Sequence, residues 1–177
     1  RGRFAVTDWD DTLVHLYSFS KSYRLTGHRV GAIATSEGLI AEIEKYLDTV
    51  TICPSQVGQR AALWGMRNLR DWLAGERLEI LDRRAALQDG LARLSDQGWQ
   101  LKGIGAYFAY VEHPYDLPSD EVARRLVAEA QVLVLPATMF TPAGDADGKR
   151  HLRIAFANAD RAGLETVIDR LRTATLC

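Results

Sequence analysis

Cysteine is scarce in this sequence: Cys53 and Cys177 are the only two among 177 residues. They lie far apart, and neither has the spacing to other side chains that is typical of a metal site. A disulfide-stabilised secreted class is therefore not indicated, and we expect a reduced, cytoplasmic protein. The histidines also lack the spacing of metal ligands or of a catalytic triad, and all four are predicted to be structural or solvated: His15, His28, His113 and His151.

A dominant charge and a long apolar run are missing as well. The net charge is −1, with 22 basic and 23 acidic residues, so nothing indicates a nucleic-acid partner or an anionic membrane surface. No apolar run approaches the roughly 18 residues of a membrane span, and no signal peptide is recognisable. Internal repeats are absent. The composition, 47% apolar and 25% charged, is typical of a globular protein of one domain or slightly more.

What the sequence does contain is a segment of hydroxyl and basic side chains that follows an apolar run. The run Leu13–Tyr17 predicts a buried strand, and the start of the segment 18–31, SFSKSYRLTGHRVG, predicts a loop at its C-terminal end. Ligands of open α/β sheets collect at such strand ends. Serine hydroxyls and an arginine can hold a phosphate, and Lys21 supplies an amine that can condense with a carbonyl compound. Gly27 and Gly31 are predicted to let the backbone turn closely around the ligand.

This segment resembles the pyridoxal-phosphate lysine segment of the class I/II aminotransferases, enzymes of fold type I. The family pattern is small, apolar, small, lysine, followed after a gap by apolar, glycine, arginine, apolar and glycine. The residues in these places are Ser18, Phe19, Ser20, Lys21, Leu25, Gly27, Arg29, Val30 and Gly31. Arg24 departs from the pattern, because the family usually has a small or short apolar residue there.

The resemblance implies a function and a set of site residues. Lys21 would be the catalytic lysine that holds pyridoxal 5'-phosphate, and Ser18, Ser20 and Arg29 would bind the cofactor phosphate. Arg29 would be the strongest single anchor, because a charge-assisted hydrogen bond is stronger than a neutral one. The implied reaction transfers an amino group between an amino acid and a 2-oxo acid. The implied assembly is a homodimer, without a nucleic-acid or membrane partner.

Helices and then a group of strands are predicted after this segment. Apolar residues at three- and four-residue steps predict helices over residues 32–49, 55–73 and 76–96, with a break at Ala74-Gly75. Ser36, Ser55 and Asp160 are candidate N-caps, and Gly98 is a candidate helix C-cap. From Gly98 onward, aromatic and branched residues predict strands at 99–101, 106–111, 132–136 and 151–157. Further helices are predicted at 120–130 and from Asp160 to about Arg172.

This order of elements matches the small domain of fold type I enzymes. We therefore predict an α/β protein: residues 1–74 are the C-terminal part of the large cofactor-binding domain, and residues 75–177 are a linking helix and an α+β small C-terminal domain. The segment 135–140 resembles a family segment that usually reads Pro-Gly-small-x-Phe. Ala137 stands in the place of its glycine, which is a second departure from the pattern.

Arg153 stands where the family places the arginine that binds the substrate α-carboxylate. A guanidinium suits this role because it forms two parallel hydrogen bonds to a carboxylate and so orients it. Arg150, three residues earlier, is the competing candidate.

The resemblance covers residues 13–172, and the sequence does not begin with Met. We therefore expect the chain to be the C-terminal half of such an enzyme, without the aspartate that pairs with the pyridine nitrogen of the cofactor. The chain by itself is expected to be inactive.

Three other functions stay open. A carbon–sulfur β-lyase would use the same fold, cofactor and lysine, and an aminotransferase-like effector domain of a transcription regulator would bind a ligand without catalysis. The run Asp8-Trp9-Asp10-Asp11 resembles the first motif of haloacid-dehalogenase-like phosphohydrolases, in which Asp8 would be the nucleophile and Asp10 the general acid/base beside Mg²⁺. The simpler interpretation of this run is an acidic turn before a strand.

Overall fold

The computed structural model of the protein describes residues 12–176, which form two compact units, residues 12–75 and residues 76–176. Asp8 and Asp10, on which the phosphohydrolase hypothesis depends, lie outside the described residues. No helix in the described part of the chain has the length and the apolar character that a bilayer crossing requires.

The first unit is built around a two-stranded antiparallel ribbon. Strand β1 (His15–Ser18) pairs with β2 (Gly31–Ala34), and the short helix α1 (Phe19–Ser22) and a 3₁₀ turn (Thr26–His28) lie in the connection. The prediction of a buried strand was wrong in one respect, because Leu16 is 71% exposed. Within residues 12–176, β1 has β2 as its one neighbouring strand, so a large part of its surface is left uncovered.

Two further helices, α2 (Glu37–Val50) and α3 (Gln56–Asn68), complete this unit. The helix predicted over residues 32–49 starts later than expected, because residues 31–34 pair with β1 as a strand. The predicted N-cap is confirmed: Ser36 Oγ accepts a hydrogen bond of 3.3 Å from the Leu39 N–H. Ser55 occupies the N-cap position of α3, but its side chain makes no capping bond.

Helix α4 (Arg70–Ala92) runs through the division between the units. The predicted break at Ala74-Gly75 is wrong. A single glycine inside a helix costs only about 1 kcal/mol relative to alanine, which the rest of a 23-residue helix can absorb. The helix predicted to run to residue 96 ends earlier, at Ala92. Gly98, with a φ of 89°, caps a separate 3₁₀ turn at Ser95–Gln97.

The second unit contains a four-stranded antiparallel sheet with the order β3-β4-β6-β5. Its strands are β3 (Gln100–Gly105), β4 (Phe108–Glu112), β5 (Leu135–Pro136) and β6 (His151–Ala155). Its later helices are α5 (Ser119–Ala130) and α6 (Arg161–Thr173). The predicted cap of α6 is confirmed, because Asp160 Oδ1 accepts a 2.8 Å hydrogen bond from the Gly163 N–H.

The core of the second unit lies between one face of this sheet and three helices, namely α4, α5 and α6. Alternate residues of β4 and β6 point into it, namely Ala109, Val111, Leu152 and Ile154. Helices α4 and α6 approach closely at Gly90, where an added Cβ would overlap the side chain of Ile168. The opposite face of β6 carries Arg153, so the core fixes the position of the strand that presents this arginine.

Candidate functional site

The segment 18–31 is a closed connection between two paired strands. Ser18 lies opposite Gly31 in the ribbon, and the Phe19 N–H extends the pairing with a 3.3 Å hydrogen bond to the Val30 carbonyl. Gly31 is required here, because a Cβ would lie 2.8 Å from the Tyr17 carbonyl oxygen. Gly27 has no atom within 4 Å of an added Cβ, so the predicted close turn holds for Gly31 and not for Gly27.

Lys21 lies on α1, at the end of β1, where a loop was predicted. Ser18 caps this helical turn, since its Oγ accepts a 3.3 Å hydrogen bond from the Ser20 N–H. Phe19 and Ser20 are buried, whereas Lys21 is exposed. Its ammonium has no hydrogen-bond or ion-pair partner among residues 12–176. The turn is thus anchored by its neighbours and leaves the amine available.

Arg29 is tied to the same turn through Thr26. The Thr26 hydroxyl donates to the Ser20 carbonyl oxygen at 3.0 Å, and Arg29 Nη1 donates to the Thr26 carbonyl oxygen at 2.9 Å. Arg29 has a φ of 50°, in the left-handed region that residues other than glycine seldom adopt. These contacts bring Ser18, Ser20, Lys21 and Arg29 together in one short connection.

The charge of this connection is entirely positive. From Leu13 to Ser36 the sequence has three cations and no aspartate or glutamate; the cations are Lys21, Arg24 and Arg29. The Arg24 guanidinium lies 5.5 Å from the ring centroid of Trp72, and the Arg29 guanidinium donates to one carbonyl and has further N–H groups. Hydroxyl donors, an arginine and a free amine suit a ligand with a phosphate and a carbonyl carbon, so the residues fit pyridoxal phosphate.

Arg153 lies in the second unit, at the centre of β6. It pairs with Tyr110 of β4 on one side and with Leu135 of β5 on the other. Its guanidinium carbon lies over two aromatic rings, 4.3 Å from the centroid of Phe108 and 3.8 Å from that of Phe140. Ordinary strand pairing therefore places this arginine on the face of the sheet that is opposite to the core.

The guanidinium of Arg153 has no acceptor within the described residues. Of the four partly buried arginines in residues 76–176, the other three donate to acceptors: Arg83 to Glu79, Arg125 to Glu121 and Arg170 to the Gln131 carbonyl. The competing candidate Arg150 lies 3.5 Å from Glu112, whose pKa is lowered mainly by its hydrogen bond from Lys102. Arg153 is therefore the better placed of the two to bind an external carboxylate.

The contacts that surround Arg153 are not predicted by the sequence. Phe140 belongs to the segment 135–140 that resembled a family motif, but only the structure places it beside Arg153. Ala137, in the place of the family glycine, has no left-handed φ and begins a 3₁₀ turn (Ala137–Met139), so this backbone does not need glycine. No signal along the sequence connects Phe108 with an arginine 45 residues later.

Two histidines are structural, as predicted. His113 is fully buried, its Nε2 lies 3.3 Å from the Lys149 carbonyl oxygen, and burial lowers its pKa. His151 is also buried and stacks on Tyr110 with ring centroids 4.8 Å apart. No group of histidine, cysteine and acidic residues within residues 12–176 is arranged to hold a metal ion.

Comparison with known proteins identifies a family. Residues 2–171 match the family described as aminotransferase class I and II. The chain is 31% identical over 156 residues to an aspartate aminotransferase of Pyrococcus abyssi. The matched region covers 86% of this chain and 38% of the relative. It is 27% identical to an aromatic aminotransferase of Arabidopsis thaliana, over 92% of this chain and 40% of the relative.

Solved structures agree with these relatives. An aminotransferase of Mycobacterium tuberculosis superposes with a TM-score of 0.78 at 27% identity, over 90% of this chain and 41% of that one. The chain thus spans about 40% of the length of the aminotransferases that it matches. Because the family match extends over nearly all of the sequence and the fold agrees with it, this chain belongs to the class I and II aminotransferases.

Proposed function

We propose that this chain is the part of a pyridoxal-phosphate-dependent aminotransferase that carries the cofactor lysine and the small domain. The reaction is transfer of an amino group between an amino acid and a 2-oxo acid. The family match, the aminotransferase names of the relatives and the residues around Lys21 support this proposal. Residues 1–74 correspond to the end of the large domain, and residues 75–177 to the linking helix and small domain. The enzyme is a cytoplasmic homodimer, and this chain alone is inactive.

The observation that carries the proposal is that the Lys21 amine is exposed and lies in a segment, residues 13–36, in which the charged side chains are Lys21, Arg24 and Arg29. Pyridoxal phosphate, when bound, supplies the electron sink for the bond that breaks at the substrate Cα. Lys21 would hold the cofactor before substrate arrives, and its freed amine would take the proton from the substrate Cα and deliver it to C4′ of the cofactor. A neutral amine is needed for this step.

The remaining residues bind and orient. Ser18, Ser20 and Arg29 hold the phosphate, with Arg29 as the strongest anchor because it adds charge to its hydrogen bonds. Arg153 binds the α-carboxylate of the substrate through two parallel N–H donors, which fixes the direction of the Cα–H bond. The absence of any carboxylate partner for Arg153 within residues 12–176 supports this role.

Reductive labelling tests the lysine directly. The 177-residue chain is mixed with pyridoxal phosphate below one equivalent, reduced with borohydride and digested, and the labelled peptide is identified by mass. We expect the label on the peptide that contains Lys21. Lys45 is the matched control, because it is also exposed and in the same unit but is paired with Glu42 at 2.6 Å. Label spread equally over both peptides would contradict the proposal.

Three alternatives lead to different measurements. A carbon–sulfur β-lyase would release a thiol from a sulfur amino acid in preference to transferring its amino group. An effector domain of a transcription regulator would bind the cofactor without turnover and would be joined to a DNA-binding domain. A phosphohydrolase would release phosphate in the presence of Mg²⁺ and would not depend on Lys21. The reported relatives are named aminotransferases, which favours amino transfer over all three.

A further inference from the structure

Two aromatic side chains, Phe108 and Phe140, contact Arg153 although they are 32 residues apart in the sequence. Both are accessible to solvent, at 36% and 48% of their full exposure. Burial of apolar surface therefore does not explain why these rings lie where they do. Their shared feature is the Arg153 guanidinium, whose carbon lies 4.3 Å and 3.8 Å from the two ring centroids, well within cation–π distance.

The register of the sheet places Phe108. Tyr110 of β4 pairs directly with Arg153 of β6, and Phe108 lies two residues before Tyr110 on the same face of the strand. A residue in this diagonal position is within reach of a long side chain on the neighbouring strand. The contact between Phe108 and Arg153 is thus a cross-strand contact within the sheet.

An anchored turn places Phe140. The Phe140 N–H donates to the Ala137 carbonyl at 2.8 Å, which closes the 3₁₀ turn, and Ala137 is fully buried. The Thr138 hydroxyl donates to Asp120 Oδ1 of α5 at 2.7 Å. The turn is therefore attached both to the core and to a helix, so the position of Phe140 is set by elements other than β6.

These contacts hold the guanidinium without using its N–H groups. A ring face attracts the positive charge, whereas the planar fork of donors has no acceptor among residues 12–176. Without the rings, a long arginine side chain would sample several rotamers and would have to be ordered when a ligand binds. With them, the side chain is ordered in advance and its donors remain available.

We propose that Phe108 and Phe140 are positioning residues that hold Arg153 ready for the substrate carboxylate. The inference rests on the proposed function of Arg153, and it adds the reason why this arginine binds a carboxylate productively. It concerns substrate orientation only.

Kinetics of the holoenzyme, meaning the complete polypeptide that contains these residues with its cofactor, provide the first test. Phe140→Leu keeps an apolar side chain but removes the aromatic ring, whereas the separate variant Phe140→Tyr keeps the ring. For an amino-acid substrate we expect Phe140→Leu to raise KM about fivefold to tenfold and to leave kcat within about twofold, because the contact is made before and during the reaction. Phe140→Tyr should return KM to within about twofold of the wild type.

Two controls separate positioning from a general structural effect. The decarboxylated amine that corresponds to the amino acid should lose no activity with Phe140→Leu, because it has no carboxylate for Arg153 to bind. Met139→Leu changes an exposed apolar neighbour in the same turn and should leave both substrates unaffected.

A spectroscopic measurement on the 177-residue chain needs no cofactor and no activity. A proton above a ring face is shielded, so the Arg153 Nε–H signal should be shifted from those of exposed arginines; Arg153→Lys assigns it by its loss. Phe140→Leu should move this signal toward the exposed position, and Phe140→Tyr should retain the shift. If Phe140→Leu does not fold, Phe108→Leu replaces it in both measurements.

The outcomes distinguish the inference from the function on which it rests. Arg153→Lys that slows the amino acid and the amine alike would show that Arg153 does not bind the carboxylate, whatever the rings do. If Arg153→Lys slows the reaction of the amino acid only, Arg153 does bind the carboxylate. In that case the positioning role alone would be overturned by an unchanged KM in Phe140→Leu, or by a raised KM that Phe140→Tyr does not restore.

Discussion

The two regions that carry candidate site residues differ in how those residues are brought together. In the first unit, Ser18, Ser20, Lys21 and Arg29 lie within one connection, and bonds between residues that are near in sequence hold it. In the second unit, Arg153 takes its surroundings from β4, β6 and the turn at Ala137–Met139. A function that depends on one continuous segment can therefore be recognised from sequence, whereas one that depends on a sheet needs the structure.

The largest expected effect comes from the first region. Lys21→Ala removes the amine that we propose moves the proton, and we expect transamination by the holoenzyme to fall by at least about 10³-fold. Lys45→Ala is the control on an exposed lysine of the same unit and should leave the rate unchanged. Steady-state rates of both variants decide the matter. If the Lys21→Ala enzyme retained most of its activity, the proposed catalytic role of Lys21 would be contradicted.

Arg153→Lys tests the second region. The substitution keeps the charge and loses the planar fork, so kcat/KM for an amino acid should fall by about 100-fold to 1000-fold while cofactor binding is retained. The decarboxylated amine should react at nearly the wild-type rate. Arg150→Lys is the control, because Arg150 is paired with Glu112. A greater loss with Arg150→Lys than with Arg153→Lys would reverse the assignment.

A smaller effect is expected for the residue that is proposed to bind the cofactor phosphate. Arg29→Ala should weaken pyridoxal phosphate binding by about tenfold to 100-fold, because hydrogen bonds to charged groups contribute roughly 1.5–3 kcal/mol. Arg24→Ala is a well-matched control: both arginines are exposed and both are left-handed, with φ of 50° and 55°. Strain on substitution is thus similar, and a titration of the cofactor compares the loss of each guanidinium. Equal weakening would exclude a special role for Arg29.

The smallest effect concerns the stability of the helix that passes through both units. Gly90→Ala places a methyl group against Ile168 and should lower the free energy of unfolding by about 1–3 kcal/mol. Gly75→Ala, in the same helix, meets no atom within 4 Å and should raise it by about 0.5–1 kcal/mol through helix propensity. Urea unfolding of the two variants measures both. An increase for Gly90→Ala as well would mean that close packing at Gly90 does not limit stability.

Local chemistry explains which structural predictions were confirmed. The caps at Ser36 and Asp160 were predictable because each is a bond between a side chain and a backbone N–H three residues later. Gly98 was predictable as a cap residue because glycine adopts a positive φ without strain, although the turn that it caps is separate from α4. The break at Gly75 was wrong, since a glycine in a helix is only a small penalty that the remaining residues of α4 outweigh.

The sequence by itself determined the family and the identity of the proposed cofactor lysine, because residue types at fixed spacing in one segment carry that information. Tertiary structure decided what surrounds Arg153. The contacts with Phe108 and Phe140, and the lack of a carboxylate partner within residues 12–176, follow from the strand register and from a turn that is anchored on α5. Contacts of this kind depend on which strands pair and on which helix covers them, and no spacing along the chain encodes them.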